Sequence, residues 1–192
     1  MISWLGLCGL GVAQAQARPA FLPLRDVTVT YLLAAPGQPD NAYSLAYDAD
    51  DQLARIDDPA HGVYVLIDLP ARNAEVVVAA LHSMVTAPDL SALSGEVYSA
   101  DDARFTPLGS ARYAGAACEN YLIIAKAGTA TACITPDGVT LHFRGQDTHG
   151  AATVTATSVS YGALPASDFA PPAGFGTISL PPGALAQLLG QP

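Results

Sequence analysis

Along most of the chain apolar and polar residues alternate with a period of two, the signature of strands with one covered face. Between Asp26 and Leu33, Val27, Val29, Tyr31 and Leu33 fall on one face and Thr28, Thr30 and Leu32 on the other. Pro36 to Asn41 is turn chemistry, after which Tyr43, Leu45 and Tyr47 alternate with Ser44, Ala46 and Asp48, which predicts a second strand paired with the first. A turn at Asp48-Ala49-Asp50-Asp51 leads to a short third strand from Gln52 to Asp57. A fourth, Gly62 to Asp68, has apolar residues on both faces. Glu75 to Ala79 reads as strand, and 89–102 as a helix or an irregular crossing. Strands resume at Phe105 to Tyr113, Glu119 to Ala125, Thr129 to Thr135, 139–144 and Thr153 to Tyr161, with 145–150 as a polar turn. Residues 183–189 suit a short terminal helix. Eight to ten strands with little helix predict a mainly β fold, a curved antiparallel sheet or partly open barrel.

The first residues do not belong to that pattern. Ile2 to Val12 is uncharged and apolar, and Ala15 and Ala17 place small residues at −3 and −1 of a cut after Ala17. Residues 1–17 therefore read as a secretory signal peptide, although no Lys or Arg precedes the apolar run. The run falls short of the roughly 20 apolar residues of a spanning helix. Leu7, directly before Cys8, is not the small residue that lipoprotein processing requires. The expectation is a leader at 1–17 and a single domain at 18–192 in the periplasm.

Composition narrows the function. Asp and Glu number 17 against 8 Lys and Arg, the net charge is −9, and Lys126 is the only lysine. Such a surface repels phosphate backbones, which excludes nucleic acid as an expected partner. Two cysteines remain after the leader, Cys118 and Cys133, and an even count in an exported chain favours a disulfide. If Lys126-Ala127-Gly128 is the hairpin turn with 125 opposite 129, however, Cys133 faces Tyr121. The bridge then needs a bulge, another loop length or a neighbouring strand.

Catalytic and metal chemistry find no specific motif. His142 and His149 could meet across a hairpin end, but a metal needs three or four convergent ligands. His82 and Met84 would share a strand face, a spacing common by chance. Asp48, Asp50 and Asp51 resemble the start of a calcium loop, yet Leu53 stands where glycine is needed and Pro59 where glutamate is needed. Around Gly109-Ser110, Arg112 replaces the second glycine of a nucleophile elbow. The expectation is a protein that is not an enzyme and has no cofactor or metal.

What stands out is the aliphatic and tyrosine content of weakly charged strands: Tyr31, Leu33, Tyr43, Leu45, Tyr47, Val63, Val65, Ile67, Leu122 and Ile124. In a curved sheet these residues could wall an apolar cavity. Equally, they could fill the protein's own core.

The segments Arg18 to Val27, Gly115-Ala116-Ala117-Cys118, Ala132 to Val139 and Tyr161 to Phe169 followed by Pro171 to Phe175 resemble a family of uncharacterised exported alphaproteobacterial proteins. That family is related to the DUF4412 group and more distantly to the lipoprotein carriers LolA and LolB. The resemblance implies a LolA-like, incomplete antiparallel barrel with a few short helices plugging its open side. It also implies a cavity for a lipid or another apolar small molecule. The rival expectation is a structural or protein-interaction module of the cell envelope.

Overall fold

The computed structural model describes residues 18–86, 103–126, 128–147, 150–181 and 184. The leader, the 89–102 segment, His149 and all but one residue of the terminal helix reading lie outside the described residues.

Twelve strands form one curved, unclosed sheet: β1 (Val27–Ala34), β2 (Asn41–Asp48), β3 (Leu53–Asp58), β4 (Val63–Asp68), β5 (Asn73–Val78), β6 (Ser83–Thr86), β7 (Arg104–Tyr113), β8 (Ala116–Ala125), β9 (Gly128–Ile134), β10 (Thr140–Asp147), β11 (Gly150–Tyr161) and β12 (Gly176–Ser179). Their order is β12-β6-β5-β4-β3-β2-β1-β11-β10-β9-β8-β7. Two antiparallel meanders, β1–β6 and β7–β11, are thus joined where β1 pairs with β11, and β12 adds in parallel to β6. The fold is mainly β, as the alternation predicts, and among the described residues two 3-10 turns, Ala79–Leu81 and Ala166–Asp168, punctuate it.

The first meander is built on a ten-residue repeat. Asp48, Asp58 and Asp68 each end a strand, and their Oδ1 atoms accept N–H groups of the following turn: from Asp50 and Asp51, from Ala60 and His61, and from Ala71. Four residues after each aspartate the chain turns left-handed, at Gln52, Gly62 and Arg72. The aspartate supplies the hydrogen bonds that the tight turn leaves unmade. At the fourth turn Val78 replaces aspartate, a 3-10 turn takes over, and His82 adopts the left-handed position with φ 46°.

Several boundaries depart from the sequence reading. β6 and β12 were not expected, because the apolar run Val76 to Leu81 hides the turn between β5 and β6, and β12 is only four residues long. His82 lies in that turn, so it shares no strand face with Met84. The supposed polar turn at 145–150 is mostly strand, since β10 continues to Asp147 and β11 starts at Gly150. In the cysteine hairpin Ala125 pairs with Gly128, one residue tighter than expected, so Cys133 lies opposite Asn120 instead of Tyr121.

Curvature comes from irregularities. Register shifts at Thr30/Tyr31 against β11, at Thr140/His142 and at Pro107/Gly109 bend the ladder, as bulges do. The consequence is that β7 touches β11 although three strands lie between them, and Tyr113 of β7 stacks on His142 of β10 at 4.7 Å. Val27, Val29, Tyr47, Ala54, Cys118, Cys133, Val139 and Leu141 form the largest buried cluster, and a second, around Ile123, Ala132 and Ile134, is packed by Phe21 and Phe105.

Two segments strap the sheet. The N-terminal stretch donates Leu24 N–H to the Asp137 carbonyl, and Arg25 Nε donates to Asp137 Oδ2 at 3.1 Å. After β11, the chain runs past Arg55, whose Nη1 donates to the Asp168 carbonyl, to reach the β6 edge, where Gly176 N–H bonds the His82 carbonyl. Arg55 and the buried Leu66 are paired across the ladder, so this strap follows the face opposite Ala54 and Ile67.

A candidate apolar binding face

Directly opposed residues in a ladder share a face, so the registers trace continuous rows across the sheet. One row runs Val159, Val29, Leu45, Ile56, Val65, Val76, Val85. A second runs Tyr161, Val27, Tyr47, Ala54, Ile67, Ala74. Tyr31 joins Ala156 and Tyr43 in a third, Val63 lies opposite Asp58 and Val78, and Leu33 joins Val154 and Asn41. Eight of the ten singled-out residues, Tyr31, Leu33, Tyr43, Leu45, Tyr47, Val63, Val65 and Ile67, therefore lie on a single face. The structure adds Ile56, Val76, Val85 and Val159 to it. Pairing register was the missing signal, because alternation assigns a face within a strand but not between strands.

Leu122 and Ile124 are separated from this group. Leu33, Val154, Phe143, Ala132 and Tyr121 are opposed in succession, so Tyr121 and Ile123 continue the face. Leu122 and Ile124 alternate with these two, on the side of Cys118 and of the Tyr113–His142 stack, and Ile124 is 48% exposed.

Burial grades across the face. Val27 and Val29 are fully enclosed, whereas Leu33, Tyr43, Val63, Val65 and Ile67 are half-buried. Tyr31 reaches across β11 and donates its hydroxyl to the Thr140 carbonyl at 2.8 Å. Burial, with a smaller contribution from Tyr161, raises its pKa, so this hydroxyl is a fixed donor and no acid–base group.

One end of the face is polar. Asp58 accepts from Asn41 Nδ2 at 3.4 Å and lies 2.7 Å from His61 Nδ1. Desolvation pushes the Asp58 carboxyl up, but its hydrogen bonds with His61 and Asn41 outweigh that and leave it below the ordinary value. This trio can bind a polar group. Among the described residues no group of three or more His, Cys, Asp or Glu is placed to hold a metal ion. In the β2–β3 turn Asp48 is engaged with the backbone of its own turn, and Ala49 N–H donates to Asp26, which precedes β1.

Cys118 and Cys133 form a disulfide with Cα atoms 5.4 Å apart. They are diagonal neighbours: Asn120, two residues from Cys118, is the direct partner of Cys133. A two-residue turn, in place of three, brings them to the same side. Such a bond fits an oxidising, extracytoplasmic setting.

No family model matches the sequence, and no curated protein does. Solved structures share the fold. An uncharacterized conserved protein from Thermus thermophilus superposes with a TM-score of 0.59 at 12% identity, over 82% of this chain and 91% of that one. PNGF-II superposes with a TM-score of 0.53 at 14% identity, over 86% of this chain and only 33% of its own, so the present chain spans about a third of that protein. A LolA superfamily protein from Nitrosomonas europaea is matched at a TM-score of 0.38 and 9% identity, over 78% of this chain and 92% of that one. At these identities the likeness is one of fold alone.

Proposed function

We propose that the protein binds a lipid or another apolar small molecule on the face traced above, outside the cytoplasm, and performs no covalent chemistry. In this reading residues 1–17 are the export leader and 18–192 a single binding domain in the periplasm. The observation that carries it is the run of aliphatic and tyrosine side chains from β11 to β6, half-buried at its margins and ending at Asn41, Asp58 and His61. Binding sites for apolar ligands combine such walls with a few convergent polar groups. An elongated ligand would lay its apolar body along Leu45, Val65 and Ile67 and its polar end at Asp58.

The test is mass spectrometry of lipids carried by protein purified without detergent, beside an unrelated periplasmic control. A stoichiometric acyl or isoprenoid species, lost in Val65→Asp, is the expected result. No bound species and no thermal shift from fatty acids or phospholipids would overturn the reading. One observation favours an alternative, an envelope module with a self-filled interior: Val27, Val29 and Tyr47, at the middle of the face, are already enclosed by protein. That module would retain full stability when stripped of lipid and would be recovered with a protein partner.

A further inference from the structure

Asp48, Asp58 and Asp68 perform the same service for their turns, but they do not share a face. Asp48 and Asp68 are both opposed to Leu53, whereas Asp58 lies two residues from Ile56 and is opposed to Val63, on the apolar face. Asp58 also takes two side-chain partners that its turn does not require, Asn41 and His61.

The rest of the face sets its electrostatics. Strands β1–β6 contain one Arg and no Lys, and that residue, Arg55, alternates with Ala54 and Ile56 onto the other side, where it donates to Asp57. Glu75 joins it there, since Arg55, Leu66 and Glu75 are opposed in succession. By register, Asp58 is therefore the one Asp, Glu, Lys or Arg that these six strands carry on the apolar face. Its bonds with His61 and Asn41 hold the carboxyl below the ordinary value, so it is ionised at neutral pH. A lipid carboxylate or phosphate laid along Val65 and Val63 would bring a second negative charge against it, with no Arg or Lys of these strands to meet either.

Hydrogen bonding narrows the choice further. Asp58 Oδ1 is taken by the Ala60 and His61 N–H groups and by Asn41 Nδ2, while Oδ2, 2.7 Å from His61 Nδ1, keeps a second lone pair. Asn41 Nδ2 carries a second N–H. A hydroxyl donates to the first and accepts from the second. A carboxylate has no proton to donate, and an ammonium has no lone pair to accept with.

We propose that the ligand of the apolar face is a lipid alcohol, held with its hydroxyl between Asp58 Oδ2 and Asn41 Nδ2 and its chain along Val63 and Val65. The assignment rests on the apolar-ligand reading and ranks anionic lipids below alcohols of the same chain length.

The experiment is displacement of the uncharged fluorescent probe N-phenyl-1-naphthylamine from lipid-stripped protein at neutral pH by dodecanol, dodecanoate and dodecylamine. Dodecanol should act at the lowest concentration. Its margin over dodecanoate should shrink about tenfold in Asp58→Asn, whose amide oxygen still accepts from the turn. Asn41→Leu should weaken dodecanol about five-fold, the loss of one hydrogen bond. Melting temperatures verify that both variants fold, and each reads the proposal independently. A margin equal in the native protein and Asp58→Asn reflects only the hydration of the carboxylate and would overturn the proposal, as would dodecanol binding untouched by Asn41→Leu. An advantage of dodecylamine over dodecanol that Asp58→Asn removes would replace the alcohol with a cationic end. In each of these cases the apolar-ligand reading stands. Failure of the probe and of all three lipids to bind would overturn that reading and this proposal together.

Discussion

Asp137 is the residue on which the most separate pieces of chain converge. Its carboxylate accepts from Thr135 Oγ1, from Arg25 of the N-terminal strap and from the Tyr161 hydroxyl at the end of β11, and the Arg25 guanidinium also lies over the Tyr161 ring. Desolvation pushes its pKa up, but the bonds from Thr135, Arg25 and Tyr161 prevail and hold it below the ordinary carboxylate value. A depressed folded value means that the stabilisation is complete above the unfolded pKa and is lost as pH falls through the folded one. Asp137→Asn should therefore lower the melting temperature at pH 7 and flatten its dependence on pH below about 4. An unchanged acid profile would place the acid sensitivity elsewhere. Beside it, Gly138 has φ +88° and a Cβ there would overlap the Leu22 carbonyl. Gly138→Ala should cost at least about 1 kcal/mol in chemical denaturation, through the strap as well as the backbone. The glycine was legible in the sequence as turn chemistry. Its contact with Leu22 was not, because nothing local announces a partner over a hundred residues away.

At the scale of elements, strands were readable wherever one face is polar, and the failures have a physical pattern. The Asp48, Asp58 and Asp68 turns announce themselves, whereas the turn after Val78 is apolar throughout and left β6 unseen. The left-handed residues were hidden for another reason, since only Gly62 of the four is a glycine. A non-glycine residue in that conformation costs roughly 1–2 kcal/mol. Gln52→Gly should recover about half to all of 1 kcal/mol and raise the melting temperature by a few degrees. A lower melting temperature would show that the Gln52 side chain outweighs the backbone strain. The cysteine hairpin errs by one residue, and in a period-two structure that is enough to put a side chain on the wrong face. The disulfide closes a separation of 15 residues, for which the chain-entropy account gives about 3 kcal/mol. Cys118→Ala/Cys133→Ala should lose about that much in urea, and retention of full stability would show that the hairpin is held by its packing alone.

For the molecule as a whole, the organising contact is the antiparallel pairing of β1 with β11, which joins two meanders that are otherwise local in sequence. The candidate face exists only because of it: Val159, Val29 and Leu45 lie in one row through this seam, and neither meander alone carries the row from β11 to β6. The sequence displayed the aliphatic and tyrosine residues but not their continuity, which depends on a pairing between positions more than a hundred residues apart. The seam should also be the most stable part of the protein, since β1 is paired on both sides and contributes Val27 and Val29 to the fully buried core. By contrast, β12 and β7 have unpaired edges among the described residues. Hydrogen exchange should accordingly find the slowest amides in Val27 to Leu33 and the fastest strand amides on the outer sides of β7 and β12. A bound apolar ligand should slow exchange in β3 to β5, around Ile56, Val65 and Val76, without altering the order of the rest. If β3 to β5 already exchange as slowly as β1 in protein stripped of lipid, the face is closed by its own side chains and the self-filled envelope module becomes the better account.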